Sequence, residues 1–305
     1  MPSRARSSLT RRLRLALGGR RLVLAAALLA LAGAVAAAER RIMDDTGRVL
    51  PLAHPAQRIV SLAPGATAML FAAGGGARIV GTSEYSDEPA AAQRIPRIGD
   101  SQSFDAERVL ALHPDVVVAW EGGTPPASIA RLERLGLTVY RHKVTRLDEF
   151  APALRRLGTL LGTETQAEQA ASELTTRLTA LRAQHAAARG SVLIQVWDRP
   201  IYTVGGAQIL SDVLASCGYR NVFGDLREAG PSVSREAVLA RDPDLIFALG
   251  PDAATGDAWL QNWRSLPTLK AVANHRLVQS ADQRLTRLGP STIVAAEELC
   301  AKLDR

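Results

Sequence analysis

The chain lacks the motifs that would mark an enzyme. No G-x-S-x-G occurs anywhere in it. Gly99-Asp100-Ser101 resembles the start of a hydrolase motif, but that chemistry needs a base histidine near the C-terminus, and His275 sits in an unrelated setting, Ala273-Asn274-His275-Arg276. Gly74-Gly75-Gly76 follows a predicted helix and precedes a predicted strand. A phosphate loop needs the reverse order, so that a helix N-terminus faces the anion; this run reads as a helix stop. Histidine is scarce. The 5 present, at positions 54, 113, 142, 185 and 275, include no pair at ligand spacing, which excludes a dedicated zinc or manganese carrier. Carboxylates are scattered, with no general acid/base pair among them.

There is also little net charge once the N-terminus is set aside. Met1–Arg21 carries Arg4, Arg6, Arg11, Arg12, Arg14, Arg20 and Arg21 and no acid. Leu22–Ala38 is an unbroken Ala/Leu/Val/Gly run ending in Ala36-Ala37-Ala38, an A-x-A cleavage pattern. That order is a secretory signal peptide, residues 1–38, with export and cleavage before Glu39. The run is at the short limit for a membrane span. No cysteine stands at the cut site for lipid attachment, and Arg11-Arg12 fits a twin-arginine signal only loosely. Removing those seven arginines from 37 basic residues leaves 30 against 30 acidic ones. The mature chain is formally neutral, and the high pI is no sign of nucleic-acid binding. Only 2 cysteines remain, Cys217 and Cys300, and an even pair in an exported protein reads as a disulfide.

What the chain does contain is a rhythm. Short β-branched runs (58–62, 78–82, 115–120, 138–142) alternate with helical segments, the pattern of strands buried on both faces of a parallel sheet. From residue 147 to 189 strand signals vanish, and leucines 154, 157, 160 and 161, then 174, 178 and 181, keep helical spacing. Thr163 or Thr165 is placed to cap the second helical piece. After it the strand–helix alternation resumes (192–197, 245–249, 276–280). The fold class is therefore α/β: two similar βα lobes, 39–146 and 190–305, joined by a long helical connector, 147–189, with the ligand cleft between the lobes. A helical joint predicts limited lobe closure.

One sentence is written twice. Asp105–Trp120 and Ser234–Leu249 share E-x-V-L-A-x-x-P-D in register, so Glu107 matches Glu236, Pro114 matches Pro243 and Asp115 matches Asp244. His113 falls where the second copy has Asp242 and reads as a solvated turn residue. Ligands of open α/β lobes bind beyond the carboxyl ends of the strands. Tyr85, Trp120, Trp197 and Tyr202 fall at such exits, although the chain has only 4 tryptophans, 4 tyrosines and 5 phenylalanines. Aromatics at strand ends either cap the core or offer flat apolar walls with polar tips to a ligand.

The chain resembles the helix-linked class of periplasmic binding proteins of ABC importers, which carry cobalamin, haem and ferric siderophores, and within it the cobalamin-binding family. The residues carrying the resemblance are RIVSLAPGAT (58–67), VGTSEYSDEP (80–89), AERVLALHPDVVVAWEGG (106–123), SREAVLARDPD (234–244), SCGYRNVF (216–223) and AAEELC (295–300). It spans nearly all of 58–303. It implies a monomeric, periplasmic, non-enzymatic carrier of cobalamin or another corrinoid, with no cofactor of its own and any metal held inside the ligand. It implies that Tyr85, Trp120 and Arg287 contact the ligand, that Cys217 and Cys300 pair, and that Glu107 and Glu236 dock into arginines of the importer's membrane permease. The chain departs from the family at Ser101 and Gly230, where tryptophans are expected, at Val196 and Arg284, where aromatics are expected, and at Ala68, which replaces a glutamate. These departures predict a less aromatic, more basic pocket and keep haem or a ferric siderophore as the alternative cargo, with Tyr85 available as an axial ligand to haem. A third reading is a sensor or partner-binding protein that transports nothing.

Overall fold

In the computed structural model, which describes residues 42–305, the apolar runs become two parallel sheets. The first half supplies β1 (Ile59–Ser61), β2 (Ile79–Thr82), β3 (Val116–Trp120) and β4 (Val139–His142), ordered β2-β1-β3-β4. The second half supplies β5 (Gly190–Gln195), β6 (Ile201–Tyr202), β7 (Tyr219–Asn221), β8 (Ser232–Val233), β9 (Leu245–Leu249) and β10 (Leu277–Ser280). Four of these form a parallel sheet in the order β10-β9-β5-β7, while β6 and β8 make a small antiparallel pair. The central strands are almost wholly buried, as a parallel sheet covered on both faces requires. The expected leader, 1–38, lies outside the described residues. Among those described, no helix is long and apolar enough to cross a membrane.

The two sheets are copies of one plan. Match β1 to β5 and β3 to β9, and the order β2-β1-β3-β4 becomes β7-β5-β9-β10. The repeated sentence supplies the parts. Asp105 caps the helix Ala106–Ala111, accepting from the N–H groups of Glu107 and Arg108, and Ser234 caps Arg235–Arg241, accepting from Ala237. His113 and Asp242, each before the proline, are both left-handed, at φ 46° and 41°. Asp115 Oδ2 accepts from the N–H groups of Gln57 (2.7 Å) and Arg58 (2.9 Å) ahead of β1. Asp244 Oδ2 accepts from the N–H (2.7 Å) and hydroxyl (2.8 Å) of Ser191 in β5. Each aspartate thus ties the start of its own strand to the neighbouring one.

The connector is two helices, Phe150–Leu161 and Glu164–Gln184. Gly162, at φ 66°, ends the first. Thr163 holds the cap position of the second, but its hydroxyl does not cap: it donates to the Ala73 carbonyl, across the chain. The nearby end of helix Pro64–Ala72 outcompetes the local bond. The connector leucines lie in one apolar core with Val116 and Val118 of the first sheet and Val192, Leu245 and Phe247 of the second. Burial on both sides makes the connector a strut rather than a tether.

Cys217 and Cys300 are disulfide-bonded and fully buried, closing a separation of 83 residues. The bond ties the end of helix Ile209–Ser216 to helix Ser291–Leu303. Loop-closure entropy values such a crosslink at about 4 kcal/mol. Replacing both cysteines by alanine is expected to lower the unfolding free energy by roughly 2–4 kcal/mol in a urea titration. An unchanged midpoint would show that the bond stabilises nothing.

Candidate functional site

The carboxyl ends of β1 to β4 converge on a cleft of about 380 Å³. β1 runs into Ala63, Pro64 and Gly65, the start of the helix Pro64–Ala72. β2 exits to Glu84 and Tyr85, while Trp120 ends β3 and His142 ends β4. All of these line the cleft, together with Asp100, Ser101 and Gln102, and the far wall is Thr286, Arg287 and Leu288 from the second lobe. The wall is seated tightly. A Cβ on Gly65 would lie 2.0 Å from the Arg287 carbonyl oxygen, so only glycine lets the second lobe rest on this helix end.

Tyr85 is 72% exposed and left-handed, at φ 63°. That backbone costs a bulky side chain about 1–2 kcal/mol. Its loop is held from outside: Arg97 donates to the carbonyls of Ser83 (3.2 Å) and Ser86 (3.0 Å) and pairs with Asp87. Opposite, Leu288 is left-handed too, at φ 59°. Strain held in place on both walls is typical of ligand clamps.

Of the aromatics expected at strand exits, Tyr85 and Trp120 meet in the cleft, with Arg287 facing them. Trp197 and Tyr202 do not line it. β5 ends at Gln195, and the chain turns into β6, carrying both rings onto the small antiparallel sheet. There Trp197 leans on the buried Trp259, with centroids 6.1 Å apart, and Trp197 and Tyr202 remain exposed.

The expected basic pocket is not what forms. Arg284 is absent from the lining: it hydrogen-bonds Asp282 and Glu298, which raise its pKa further. Among the described residues Arg287 is the one guanidinium on the wall, 3.9 Å from Glu88, and it shares the cleft with Glu84 and Asp100. Ser101 does line the cleft, so the missing tryptophan there leaves space; Gly230 does not line it.

Sequence reasoning missed one pair. Asp45 lies in a hairpin before β1, its side chain fully buried. It accepts from the Tyr140 hydroxyl (2.6 Å), the Lys143 N–H (2.9 Å), Arg156 Nε (2.7 Å) and His142 Nδ1 (2.7 Å). Burial pushes its pKa up, but the bonds from His142, Tyr140 and Arg156 outweigh that and hold it at about 2. An ionised carboxylate only accepts, so Nδ1 carries the proton toward Asp45. His142 is 2% exposed, and its Nε2 has no hydrogen-bond partner among the described residues. Ser101 is therefore not bonded to it, and the relay that would activate a serine is incomplete. The available signal was position: His142 ends its strand as Trp120 does.

Glu107 and Glu236 occupy the same place in their helices, the second residue of the first turn, and both are exposed. Glu107 comes only within 3.8 Å of Arg131. Hydrogen bonds from its own N–H and from Ser234 lower the pKa of Glu236. A larger depression, about 820 Å³, runs along β7 and helix Ile209–Ser216 and contains none of the expected ligand, docking or disulfide residues. Three of its four arginines are paired, Arg146 and Arg182 with Asp212 and Arg241 with Asp225.

Two βα lobes on a helical strut, with an open cleft at the strand ends, form the architecture of a solute-binding protein. The sequence profile of periplasmic binding proteins matches residues 59–283, and the chain belongs to that family. Over 259 residues it is 35% identical to the vitamin B12-binding protein of Vibrio cholerae serotype O1, covering 85% of this chain and 93% of that relative. It is similar to the crystal structure of the periplasmic vitamin B12 binding protein BtuF of Vibrio cholerae, with a TM-score of 0.73 and 34% identity over 82% of this chain and 97% of that one. A periplasmic heme binding protein from Pseudomonas aeruginosa is similar at a TM-score of 0.67 and 27% identity, over 81% and 92% of the two chains.

Proposed function

We propose that this protein captures cobalamin or a related corrinoid in the periplasm and delivers it to the permease of an ABC importer. It acts as a monomer, after loss of residues 1–38, with lobes 39–146 and 190–305 on either side of the connector 147–189. The observation that carries the reading is the cleft itself, where Tyr85 and Trp120 stand at the exits of β2 and β3, on either side of β1, and Arg287 belongs to the opposite wall. The vitamin B12-binding relatives support the same cargo. A corrinoid outsizes a cleft of about 380 Å³, so part of it must lie beyond this wall. We assign the exposed rings of Trp197 and Tyr202 to that outer contact.

Haem fits less well. Its two carboxylates need cations, and the cleft offers one arginine against Glu84 and Asp100. The neutral amides of a corrinoid carry no such penalty.

Protein purified from corrinoid-fed cells is expected to keep a pink ligand with a corrin absorption spectrum. Tyr85→Ala and Trp120→Ala should each weaken binding of cyanocobalamin by about 1–3 kcal/mol through the lost flat contact. Unchanged affinity in both variants would remove these rings from the site. A colourless protein that no corrinoid stabilises against heat would favour the sensor reading.

A further inference from the structure

Among the described residues, buried polar atoms of Glu121, Arg141, His142, Thr203 and Gln279 have no hydrogen-bond partner, and of these residues only His142 lines the cleft. It sits on the cleft wall beside Trp120, its cross-strand partner in β3–β4. An unpaired polar atom shut away from water costs about 1–3 kcal/mol, so such atoms are retained when something bound supplies the partner. The chemistry of that partner follows from the other side of the ring. Asp45 takes the Nδ1 proton, and the tautomer this bond selects carries a bare lone pair on Nε2. A carboxylate behind a histidine, fixing its tautomer and raising its basicity, is the usual support of a metal-bound imidazole. Asp45 is itself fixed by Tyr140, Lys143 and Arg156, so the ring has little freedom to turn away. Imidazole nitrogen suits first-row transition metals, and a corrinoid brings one with it.

We propose that His142 Nε2 coordinates the cobalt of the bound corrinoid as an axial ligand, and that the site therefore favours corrinoids with an open axial position. The proposal rests on the corrinoid reading of the cleft. One bond forms, Nε2 to cobalt, and one breaks, cobalt to a water molecule; no electron is transferred and Nδ1 keeps its proton.

Cobinamide lacks the nucleotide base, so its cobalt has an axial site that only water fills. Bound to the native protein in phosphate buffer, Co(II) cobinamide is expected to show electron paramagnetic resonance lines split into triplets by one axial nitrogen. His142→Gln, which can still bond Asp45, should abolish the triplets and weaken aquocyanocobinamide by about tenfold or more. Cyanocobalamin, whose two axial sites are filled, should lose less than about threefold in the same variant, a change below the worth of one ordinary hydrogen bond. Native protein that binds cobinamide with unsplit lines, or a variant that loses both corrinoids equally, overturns the proposal. The spectrum of the native complex decides the matter even if the variant misfolds. Failure of either corrinoid to bind native protein would instead sink the cargo reading, and the axial bond with it.

Discussion

Charge reversal of Glu107 and Glu236 together is expected to abolish corrinoid uptake in cells that depend on this protein, with ligand affinity and thermal midpoint nearly intact. The two carboxylates occupy equivalent, exposed positions on equivalent helices, one in each lobe. Neither lines the cleft. We propose that they are two separated anchors that orient a two-lobed body on a two-fold permease, so that an arginine at each would meet like charge there. Each single reversal should leave partial uptake, because one lobe stays anchored. A helix-end role must be told apart from docking, since an acid in the first turn also complements the helix dipole by about 0.3–1 kcal/mol. Glu→Gln at both positions separates them: it loses the dipole term without placing a cation at either helix N-terminus, so it should melt no lower than the reversal and retain more uptake. Uptake by the double reversal at the native rate would remove the docking role. A fall in thermal midpoint large enough to account for the lost uptake would assign the glutamates to the fold instead.

Asp45→Ala is expected to be the most damaging single substitution away from the apolar core. One fully buried carboxylate accepts four hydrogen bonds, from Tyr140, His142, Lys143 and Arg156. Removing it strands the Tyr140 hydroxyl and the His142 Nδ1–H in a dry site and leaves Arg156 without its carboxylate. Breaking such a centre costs about 3 kcal/mol or more, which for a chain of this size corresponds to a midpoint lower by roughly 10 °C. A calorimetric scan measures it. A shift under about 2 °C would mean that the hairpin simply reorganises and the carboxylate holds nothing together.

The sequence made the scaffold legible because its strands are short, β-branched and doubly buried, and because the same helix–turn–strand phrase recurs. Val116–Ala119 and Leu245–Leu249 are fully buried, as their unbroken apolar runs imply. The duplicated Pro-Asp even marked the residues that tie neighbouring strands together. The two-residue strands of the small sheet were not legible: β6 and β8 hold only 2 residues each, too few for a period. That omission misplaced Trp197 and Tyr202, since a strand running on to Trp197 would have aimed it at the cleft. Arg284 reads as pocket charge, although Asp282 stands two residues away, because its second partner, Glu298, becomes a neighbour only when the last helix packs. Asp45 and His142 were invisible as a pair for the same reason, being 97 residues apart.

The central claim is that the cleft between the lobes takes a corrinoid. Isothermal titration of the mature, disulfide-intact protein with cyanocobalamin, cobinamide and haemin tests it most directly. The account predicts saturable one-to-one binding of both corrinoids and weak or no binding of haemin. Tight haemin binding with no heat from either corrinoid would contradict it.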